Sequence, residues 1–293
     1  NIITPKQDRN NCWFNTAFMV FFISDLGRKF SKFFRHFCIT GNLDHVKQTD
    51  DILRLSLFYL NIYIDSCIQG SSYSFYINSN YLVDRIYDTI PPDDNIRKSD
   101  KTGDPLRYYF SLITKLSLYK SMNFNPLYQI TLGRNNLPTL SKAIQYIEQG
   151  HLFGNNQTLE TQSNKETFVL FPRRVINPPD ILLVYIDLKK YPTLNVSDKK
   201  KYLYISQAIY CLDSVIIVHV NNPHVCCLIT INKEYFLYDG ASYRHLIPFK
   251  WLKYLNSSQD ITFGCSKEID SKEKGIINFK KSPQQVLIYY RIK

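Results

Sequence analysis

Three residues of this 293-residue chain carry side chains that could act together in nucleophilic catalysis. Cys12 lies between a polar stretch, QDRNN, and an apolar run, AFMVFFI, so the pattern predicts a thiol at the start of a buried helix. The helix dipole favours negative charge at that end. His224 begins a predicted strand, and Asp239 ends the next one. A thiolate, an imidazole base and a carboxylate that orients the base are the groups that cysteine-dependent catalysis uses.

The predicted strands also explain how His224 and Asp239 would meet. A short turn near Asn232 and Lys233 would join the two strands as a hairpin and return Asp239 opposite His224. The carboxylate would then hold one imidazole nitrogen while the other faces the thiol of Cys12. Gln7, shortly before Cys12, would supply a side-chain amide that donates to an oxyanion.

Each of these residues also has a simpler structural interpretation. An isolated cysteine before an apolar helix usually belongs to the core, and a histidine flanked by valines, such as His219 or His224, is usually a buried group with its hydrogen bonds satisfied. Asp239-Gly240 is first of all a turn signal. Only the joint pattern, in this order along the chain, favours the catalytic interpretation.

The elements that must position these residues fall into two blocks. The first third reads as mainly helical, with a buried helix from Cys12 to Leu26, an amphipathic segment GRKFSKFFRHF, and a further helix over residues 50–64. Residues 89–105 read as a loop, LRYYFSLITKLSLY after it as a helix, and residues 137–150 as a helix with Thr139 or Ser141 near its start. The second half predicts short strands over 180–188, 214–220, 224–231, 234–239 and 285–292. Helices followed by a largely antiparallel sheet indicate an α+β fold.

Composition limits the classes of protein and of site. Seven cysteines, an odd number without any CxxC pair, argue against a disulfide scaffold and a zinc ribbon, and indicate a reducing compartment. We therefore expect a cytoplasmic or nuclear location, and no apolar run is long enough to predict a membrane span. The net charge of +11 favours acidic partners, including non-specific contact with nucleic acid. The basic clusters at 28–35, 199–201 and 267–281 are more typical of solvated surface.

Five segments resemble the ubiquitin-specific proteases, a family of cysteine deubiquitinases. NNCWFNTAFMVFF is similar to the family's cysteine box, and SVIIVHVNNPHVCCLITINKEYFLYDG is similar to its histidine and aspartate box. PLYQITLGRNNLPTLSKAIQYIEQGHLFGNN resembles the family's stretch in which a strand precedes a helix. PPDILLVYIDLKKY is similar to a later strand of the family, and the final SPQQVLIYYRIK is similar to its carboxy-terminal segment. The chain departs from the family at Arg9-Asn10-Asn11, which replaces Gly-Asn-Thr, at Pro223, which replaces Gly, and at Gly240, which replaces a second Asp.

The resemblance implies a papain-like α+β fold, with a helical thumb over 1–125 and a β-rich palm over 126–293 within one catalytic domain. It implies Cys12 as nucleophile, His224 as base and Asp239 as orienting group, with Gln7 and then Asn10 as oxyanion donors. No cofactor and no metal are implied, because the cysteine pairs of the family's zinc-binding fingers are missing and those fingers are expected to be reduced or absent.

The substrate implied by the resemblance is ubiquitin or a ubiquitin-like modifier, and a more acidic modifier such as SUMO suits the positive charge better. Two alternatives remain open from the sequence. One is a catalytically silent scaffold in a larger, nucleic-acid-containing complex, and the other is a cysteine protease that processes viral precursors. The Asn, Ile, Lys and Tyr bias is typical of an AT-rich genome, so a viral chain acting in the host cytoplasm or virion is one expectation.

Overall fold

The fold is described from a computed structural model of the chain. The described residues are 2–40, 42–43, 46–47, 51–89, 103, 106, 127–133, 138–148, 178–242, 245–263 and 275–293. The statements below concern these residues. Among their helices, none has the length and apolar character needed to cross a membrane.

The helices come mostly in the first part of the chain. The α-helices are α1 (Cys12–Phe18), α2 (Asp25–Thr40), α3 (Asp51–Gln69), α4 (Ser79–Thr89) and α5 (Leu140–Glu148). A π-helical segment, Met19–Ile23, continues α1 and is entirely buried, and 3-10 turns lie at Ser72–Phe75 and Trp251–Tyr254. Ser24 breaks the run by capping α2, because its Oγ accepts the Gly27 N–H at 3.2 Å.

The strands dominate the second part and build one large sheet. They are β1 (Asn42–Leu43), β2 (Val46–Lys47), β3 (Leu127–Leu132), β4 (Ile181–Asp187), β5 (Tyr202–Ile205), β6 (Ala208–Val218), β7 (Val225–Ile231), β8 (Glu234–Tyr238), β9 (Leu246–Pro248), β10 (Ile261–Phe263), β11 (Gly275–Ile277) and β12 (Gln284–Arg291).

The large sheet has the order β3-β4-β12-β6-β7-β8-β9, and β5 pairs with β6. Every pairing in it is antiparallel except that of β3 with β4. β1 pairs with β2, and β10 pairs with β11, as separate two-stranded sheets. The α+β class with a largely antiparallel sheet is therefore confirmed.

Alternating side chains give the sheet two buried faces. Ile216, Cys227 and Ile288 belong to a core shared with α1, the π-helical segment and α3. Their neighbours Ile217, Cys226 and Leu287 belong to a second core shared with α5 and Trp251. Because both faces are covered, the central strands β12, β6 and β7 read as almost continuous apolar runs.

The turn between β7 and β8 sets the register that matters for Asp239. Asn232 and Lys233 both have positive φ, 51° and 67°, as a two-residue type I′ hairpin requires. Their N–H groups donate to the two carboxylate oxygens of Asp25, at 2.7 and 2.8 Å, which fixes the turn to the start of α2. The predicted hairpin around this turn is confirmed.

Two further predicted helices are confirmed, whereas other sequence predictions fall outside the described residues. The helices predicted over 50–64 and 137–150 appear as α3 and α5, and Thr139 caps α5 by accepting the Lys142 N–H at 3.2 Å. The predicted loop at 89–105 and the helix after it fall largely outside the described residues. The predicted boundary at 125/126 also falls outside them, so the division into thumb and palm stays a prediction.

Lys199 corrects the interpretation of the 199–201 cluster as solvated surface. Its side chain is 3% exposed, and its Nζ donates to the backbone carbonyls of Val196 at 2.8 Å and Phe279 at 3.1 Å. Burial lowers its pKa to about 8. This lysine ties the β4–β5 connection to the segment before β12, so the cluster is not a continuous basic surface.

Asp213 is a buried carboxyl at a β-bulge. Ser214 pairs with Ile288 and Leu212 pairs with Tyr289, so Asp213 is the extra residue on β6. Its Oδ1 accepts the Leu26 N–H at 3.2 Å, which links the start of α2 to the middle of the sheet. Burial raises its pKa from 3.8 to about 7, despite the hydrogen bonds from the start of α2.

This carboxyl predicts a pH dependence of stability. Between about pH 4 and pH 7 the folded chain keeps a proton that the unfolded chain has released, so the free energy of unfolding falls as pH rises through this window. Asp213→Asn keeps an acceptor for Leu26 and removes the ionisation. We expect the variant to gain stability relative to wild type on going from pH 5 to pH 8, by at most about 3 kcal/mol, measured by urea unfolding.

The matched control is Asp260→Asn, which changes an exposed carboxylate that pairs with Lys281. Asp260→Asn should not gain stability relative to wild type between pH 5 and pH 8. An equal effect of Asp213→Asn at pH 5 and pH 8 would contradict a buried carboxyl that is neutral when the chain is folded.

Candidate functional site

Cys12 is the first residue of α1 and is partly exposed, whereas the residues that follow it in the helix are buried. The thiol therefore lies at the edge of the core, at the end of the helix where backbone N–H groups are unpaired. The cysteines at 67, 211, 226 and 227 are also free thiols, and burial raises the pKa of each. Three of these four are fully buried, so their thiols are structural.

Asn11 holds the approach to Cys12. It is completely buried, and its Nδ2 donates to Ser79 Oγ at 3.2 Å and to Asn80 Oδ1 at 2.7 Å. Its Oδ1 accepts the Asp8 N–H at 3.1 Å and the Asn15 side chain at 3.3 Å. An amide with all four bonds to α4, the preceding loop and α1 fixes the loop before the cysteine. We did not predict this role, although two successive asparagines before a buried helix are a usable signal.

Arg9, in the loop before Cys12, has a left-handed backbone conformation. Its φ is 59°, in the left-handed region that non-glycine residues adopt at a cost. It stands at the position where the resembling family has glycine. Glycine would adopt this conformation without that cost.

Thr16 connects α1 to the strand that carries the histidine. It lies one helical turn after Cys12, so both side chains are on one face of the helix. Its Oγ1 donates to the Val225 carbonyl at 3.4 Å, and Val225 directly follows His224. This contact brings the start of α1 to the start of β7, where the imidazole lies.

His224 and Asp239 form the central pair of the site. Because Cys227 pairs with Tyr238, the hairpin register places Asp239 diagonally from His224, two residues away from the directly opposite position that we predicted. Long side chains span such a diagonal. His224 Nε2 lies 2.7 Å from Asp239 Oδ1, with 15% and 5% of the two side chains exposed.

Asp239 and Cys12 both act on the pKa of His224. Burial alone would lower the pKa of this imidazole, but hydrogen bonds to Asp239 and Cys12, together with their charges, raise it to about 9. Burial acts in the opposite direction on Asp239, yet the bond to His224 lowers the pKa of the carboxyl below its ordinary value. Since Nε2 is bonded to Asp239, Nδ1 is the nitrogen that remains for Cys12.

Further hydrogen bonds orient Asp239. Its Oδ1 also accepts the Ala241 N–H at 2.9 Å, and its Oδ2 accepts the Ser242 hydroxyl at 3.1 Å. Asp239 is 4% exposed, and each oxygen has at least one donor, as a buried carboxylate needs. Ser242 was not predicted as part of the site, although an Asp-x-x-Ser turn is its sequence signal.

The predicted oxyanion donors occupy different environments. The Gln7 backbone N–H donates to the Gly240 carbonyl at 2.9 Å, so this residue is attached beside Asp239. Its side-chain Nε2 makes only a long bond of 3.4 Å to the Arg9 carbonyl, and its buried Oε1 has no partner among the described residues. Asn10 is exposed on the loop before Cys12. Pro223 leaves His224 in place, because Asn222 Oδ1 accepts the His224 N–H at 3.0 Å.

His219 lies beside the site, although the sequence does not predict a catalytic role for it. Its N–H donates to the His224 carbonyl at 3.0 Å, and the two rings meet edge to face with centroids 4.7 Å apart. Burial and the neighbouring His224 lower its pKa to about 4. Ligand atoms of His219, His224 and Asp239 lie within 4.8 Å of one another, the spacing of a group that could hold a metal ion.

Comparison with known proteins adds evidence on the fold. No protein-family model and no curated protein matches the chain. Among solved structures, a chain of the SAGA deubiquitinase module Ubp8/Sgf11/Sus1/Sgf73 bound to monoubiquitin matches with a TM-score of 0.50 and 9% identity, over 100% of this chain and 69% of that one. The same module bound to ubiquitin aldehyde matches with a TM-score of 0.49 and 10% identity, over 100% of this chain and 70% of that one. An essential yeast splicing factor matches with a TM-score of 0.49 and 11% identity, over 100% of this chain and 70% of that one.

The match to the monoubiquitin-bound module shows a fold of the ubiquitin-specific-protease type at the level of chain path. At 9% identity it concerns the fold alone. The chain therefore has a mixed helix-and-sheet fold of that type, in which His224 Nε2 lies 2.7 Å from Asp239 Oδ1.

The close approach of Gly240 to the N-terminal segment generates a prediction. A Cβ on Gly240 would lie 2.8 Å from the Tyr238 hydroxyl and 3.2 Å from the Gln7 backbone nitrogen. The Tyr238 hydroxyl donates to the Pro5 carbonyl at 2.7 Å, so neither neighbour can move freely. We expect Gly240→Ala to destabilise the fold by about 1–3 kcal/mol, measured by urea unfolding.

Tyr238→Phe removes the closest contact at the cost of one buried hydrogen bond. The double variant should therefore lose less stability than the sum of the two single losses. Full additivity would contradict a steric role of Gly240 at this position.

Proposed function

We propose that the chain is a thiol-dependent hydrolase that cleaves the carboxy-terminal peptide or isopeptide bond of ubiquitin or a ubiquitin-like modifier. The observation that carries this proposal is the 2.7 Å contact between His224 Nε2 and Asp239 Oδ1, together with the effect of Cys12 on the pKa of His224. A base with a nucleophile on one ring nitrogen and a carboxylate on the other is the arrangement that activates a cysteine. The fold type supports the same class.

Before the first step the Cys12 proton lies on His224 Nδ1, because the raised pKa of His224 keeps this ring protonated at neutral pH. In the first step, the Cys12 Sγ thiolate attacks the carbonyl carbon of the scissile amide. The carbonyl oxygen becomes an oxyanion. When the carbon–nitrogen bond breaks, His224 gives its proton to the leaving amine, and a thioester with Cys12 remains. Asp239 keeps the ring oriented through Nε2 and stabilises the imidazolium that exists between the two proton transfers.

In the second step, His224 takes a proton from a water molecule that attacks the thioester. The resulting tetrahedral species expels the Cys12 thiolate beside the protonated His224, and the product acid releases its remaining proton to water, so the modifier leaves with a free carboxylate. The raised pKa of His224 suits its role as acid toward the leaving amine, because the ring is protonated at neutral pH.

The oxyanion donors are the Cys12 backbone N–H and the side-chain amide of Gln7, with Asn10 as a further donor. Gln7 is the stronger side-chain candidate, because its backbone is fixed to Gly240 whereas its Nε2 is held only by a 3.4 Å bond. A small rotation would free this amide for a developing negative charge. Asn10, on the exposed loop, would reach the charge only after the substrate is bound.

The substrate class follows from two observations of different kind. The solved structures of similar fold contain monoubiquitin or ubiquitin aldehyde. The chain itself carries a net charge of +11, which favours an acidic modifier. We therefore place SUMO-type modifiers beside ubiquitin as candidate substrates.

The proposal also includes an architecture with a helical thumb, a β-rich palm and reduced fingers without zinc.

The test is covalent labelling by ubiquitin, SUMO and related modifiers that carry a carboxy-terminal electrophile. We expect one modifier to label the wild-type chain and the label to disappear in Cys12→Ala. Cys211→Ala is the matched control, because Cys211 is another partly exposed free thiol, outside the site, and this variant should be labelled as wild type is.

Three results would overturn the proposal. Folded protein that no modifier labels would favour a silent scaffold, and cleavage of precursor peptides without modifier labelling would favour a processing protease. Labelling that persists in Cys12→Ala would assign the nucleophile to another cysteine.

The pKa of His224 predicts the alkaline limit of the activity. Because His224 must be protonated to release the amine, kcat/KM should fall about tenfold per pH unit above about pH 9. In Asp239→Asn the bond and charge that raise this pKa are lost, so the limit should move to lower pH. The rate should also fall by about 10²–10⁴-fold with little change in KM.

Asp260→Asn is the control for this profile, since Asp260 is an exposed carboxylate that bonds to Lys281. It should leave both the rate and the alkaline limit unchanged. An alkaline limit that is the same in wild type and Asp239→Asn would exclude His224 as the group that titrates.

A further inference from the structure

His219 places a buried polar ring beside the site, and the proposed reaction assigns no role to this ring. It is 2% exposed, and neither Nδ1 nor Nε2 has a hydrogen-bond partner among the described residues. The Asn222 side chain approaches the ring but does not bond to it with normal geometry. Buried polar groups are almost always paired, so an imidazole with two unpaired nitrogens needs an explanation.

The strand register directs this ring toward the central pair. His219 is directly opposite His224 across the β6–β7 turn, because the His219 N–H donates to the His224 carbonyl. His224 and Cys226 share one face of their strand, and Cys226 is opposite Asp239 when the β7–β8 register is extended by one residue. The two histidines and the aspartate therefore lie on one face, and their ligand atoms are within 4.8 Å of one another.

We propose that His219, His224 and Asp239 form a binding site for a divalent transition-metal ion, Zn²⁺ foremost. Two imidazoles and one carboxylate are a ligand set that suits Zn²⁺ rather than Mg²⁺ or Ca²⁺, which prefer oxygen ligands. With bonds of about 2.0–2.2 Å, tetrahedral ligand atoms are about 3.3 Å apart. The ligand atoms, which lie within 4.8 Å of one another, would approach by up to about 1.5 Å to reach that spacing, and a water would complete the fourth position.

The two-stranded sheet of β10 and β11 encloses this site on one side. The Phe263 ring contacts His219 edge to face at 5.2 Å, and the Val220 N–H donates to the Ile276 carbonyl at 2.8 Å. A Cβ on Gly275 would lie 2.8 Å from His219 Cε1, so the ring has no room to turn outward toward β11. An ion would therefore enter from the partly exposed side of His224.

The consequence for hydrolysis rests on the proposed function, whereas the binding itself does not. An ion at His224 Nε2 takes the place of the proton that the ring shares with Asp239. It also withdraws electrons from the ring, so Nδ1 becomes a weaker base for the Cys12 thiol. Zn²⁺ is thus expected to inhibit the hydrolase reversibly.

The binding test uses Co²⁺ on the full chain, reduced and freed of metal by a chelator that is then removed. We expect the visible absorption of tetrahedral Co²⁺ without a thiolate charge-transfer band, and Zn²⁺ should abolish it in competition. His219→Gln should weaken Co²⁺ binding by about tenfold or more, and Asp239→Asn should do so as well. His245→Gln, a histidine outside the cluster, should leave it unchanged.

Circular dichroism of each variant identifies any that fails to fold. Unchanged Co²⁺ binding by a folded His219→Gln variant would overturn the inference, as would loss of binding in Cys12→Ala or no binding by wild type. The readout separates the two proposals. Co²⁺ binding without labelling by any modifier would contradict only the hydrolase, and labelling without Co²⁺ binding would contradict only the metal site.

Discussion

The 2.7 Å hydrogen bond between His224 and Asp239 depends on the register of one hairpin, and the rest of the site depends on that bond. A two-residue turn at Asn232 and Lys233 sets the register, and the Asp25 carboxylate fixes the turn to α2. A shift by one residue would turn Asp239 to the other face of the sheet. The start of a helix in the first core therefore helps to determine whether a carboxylate reaches the imidazole.

The same hairpin is attached to the nucleophile by a separate set of contacts. Thr16 bonds to the Val225 carbonyl, and Asn11 fixes the loop before Cys12 to α4. On the other side, the N-terminal segment is fixed to the sheet through Gln7 and Gly240, and through Pro5 and Tyr238. Helical and sheet residues far apart in sequence thus meet near the thiol. The bonds of Asn11 and Tyr238 are buried, and such bonds are costly to leave unpaired.

Much of this arrangement could be predicted from the sequence, because its signals are local. The apolar run after Cys12, the short β-branched strands and the Asn-Lys turn specify a helix, a sheet and a hairpin. The diagonal offset of Asp239 follows only if the turn consists of Asn232 and Lys233 alone, whereas the prediction placed a short turn near these residues. The buried state of Lys199, the bulge at Asp213 and the orphan ring of His219 arise from contacts between distant segments, for which a single sequence carries no signal.

The central claim is that the folded chain holds the His224 imidazole between Cys12 and Asp239. Titration of the histidine ring resonances by NMR tests it directly. The account predicts that His224 titrates near pH 9 in wild type and at lower pH in both Cys12→Ala and Asp239→Asn. A wild-type His224 that titrates near 6.5, or one that is insensitive to both substitutions, would contradict it.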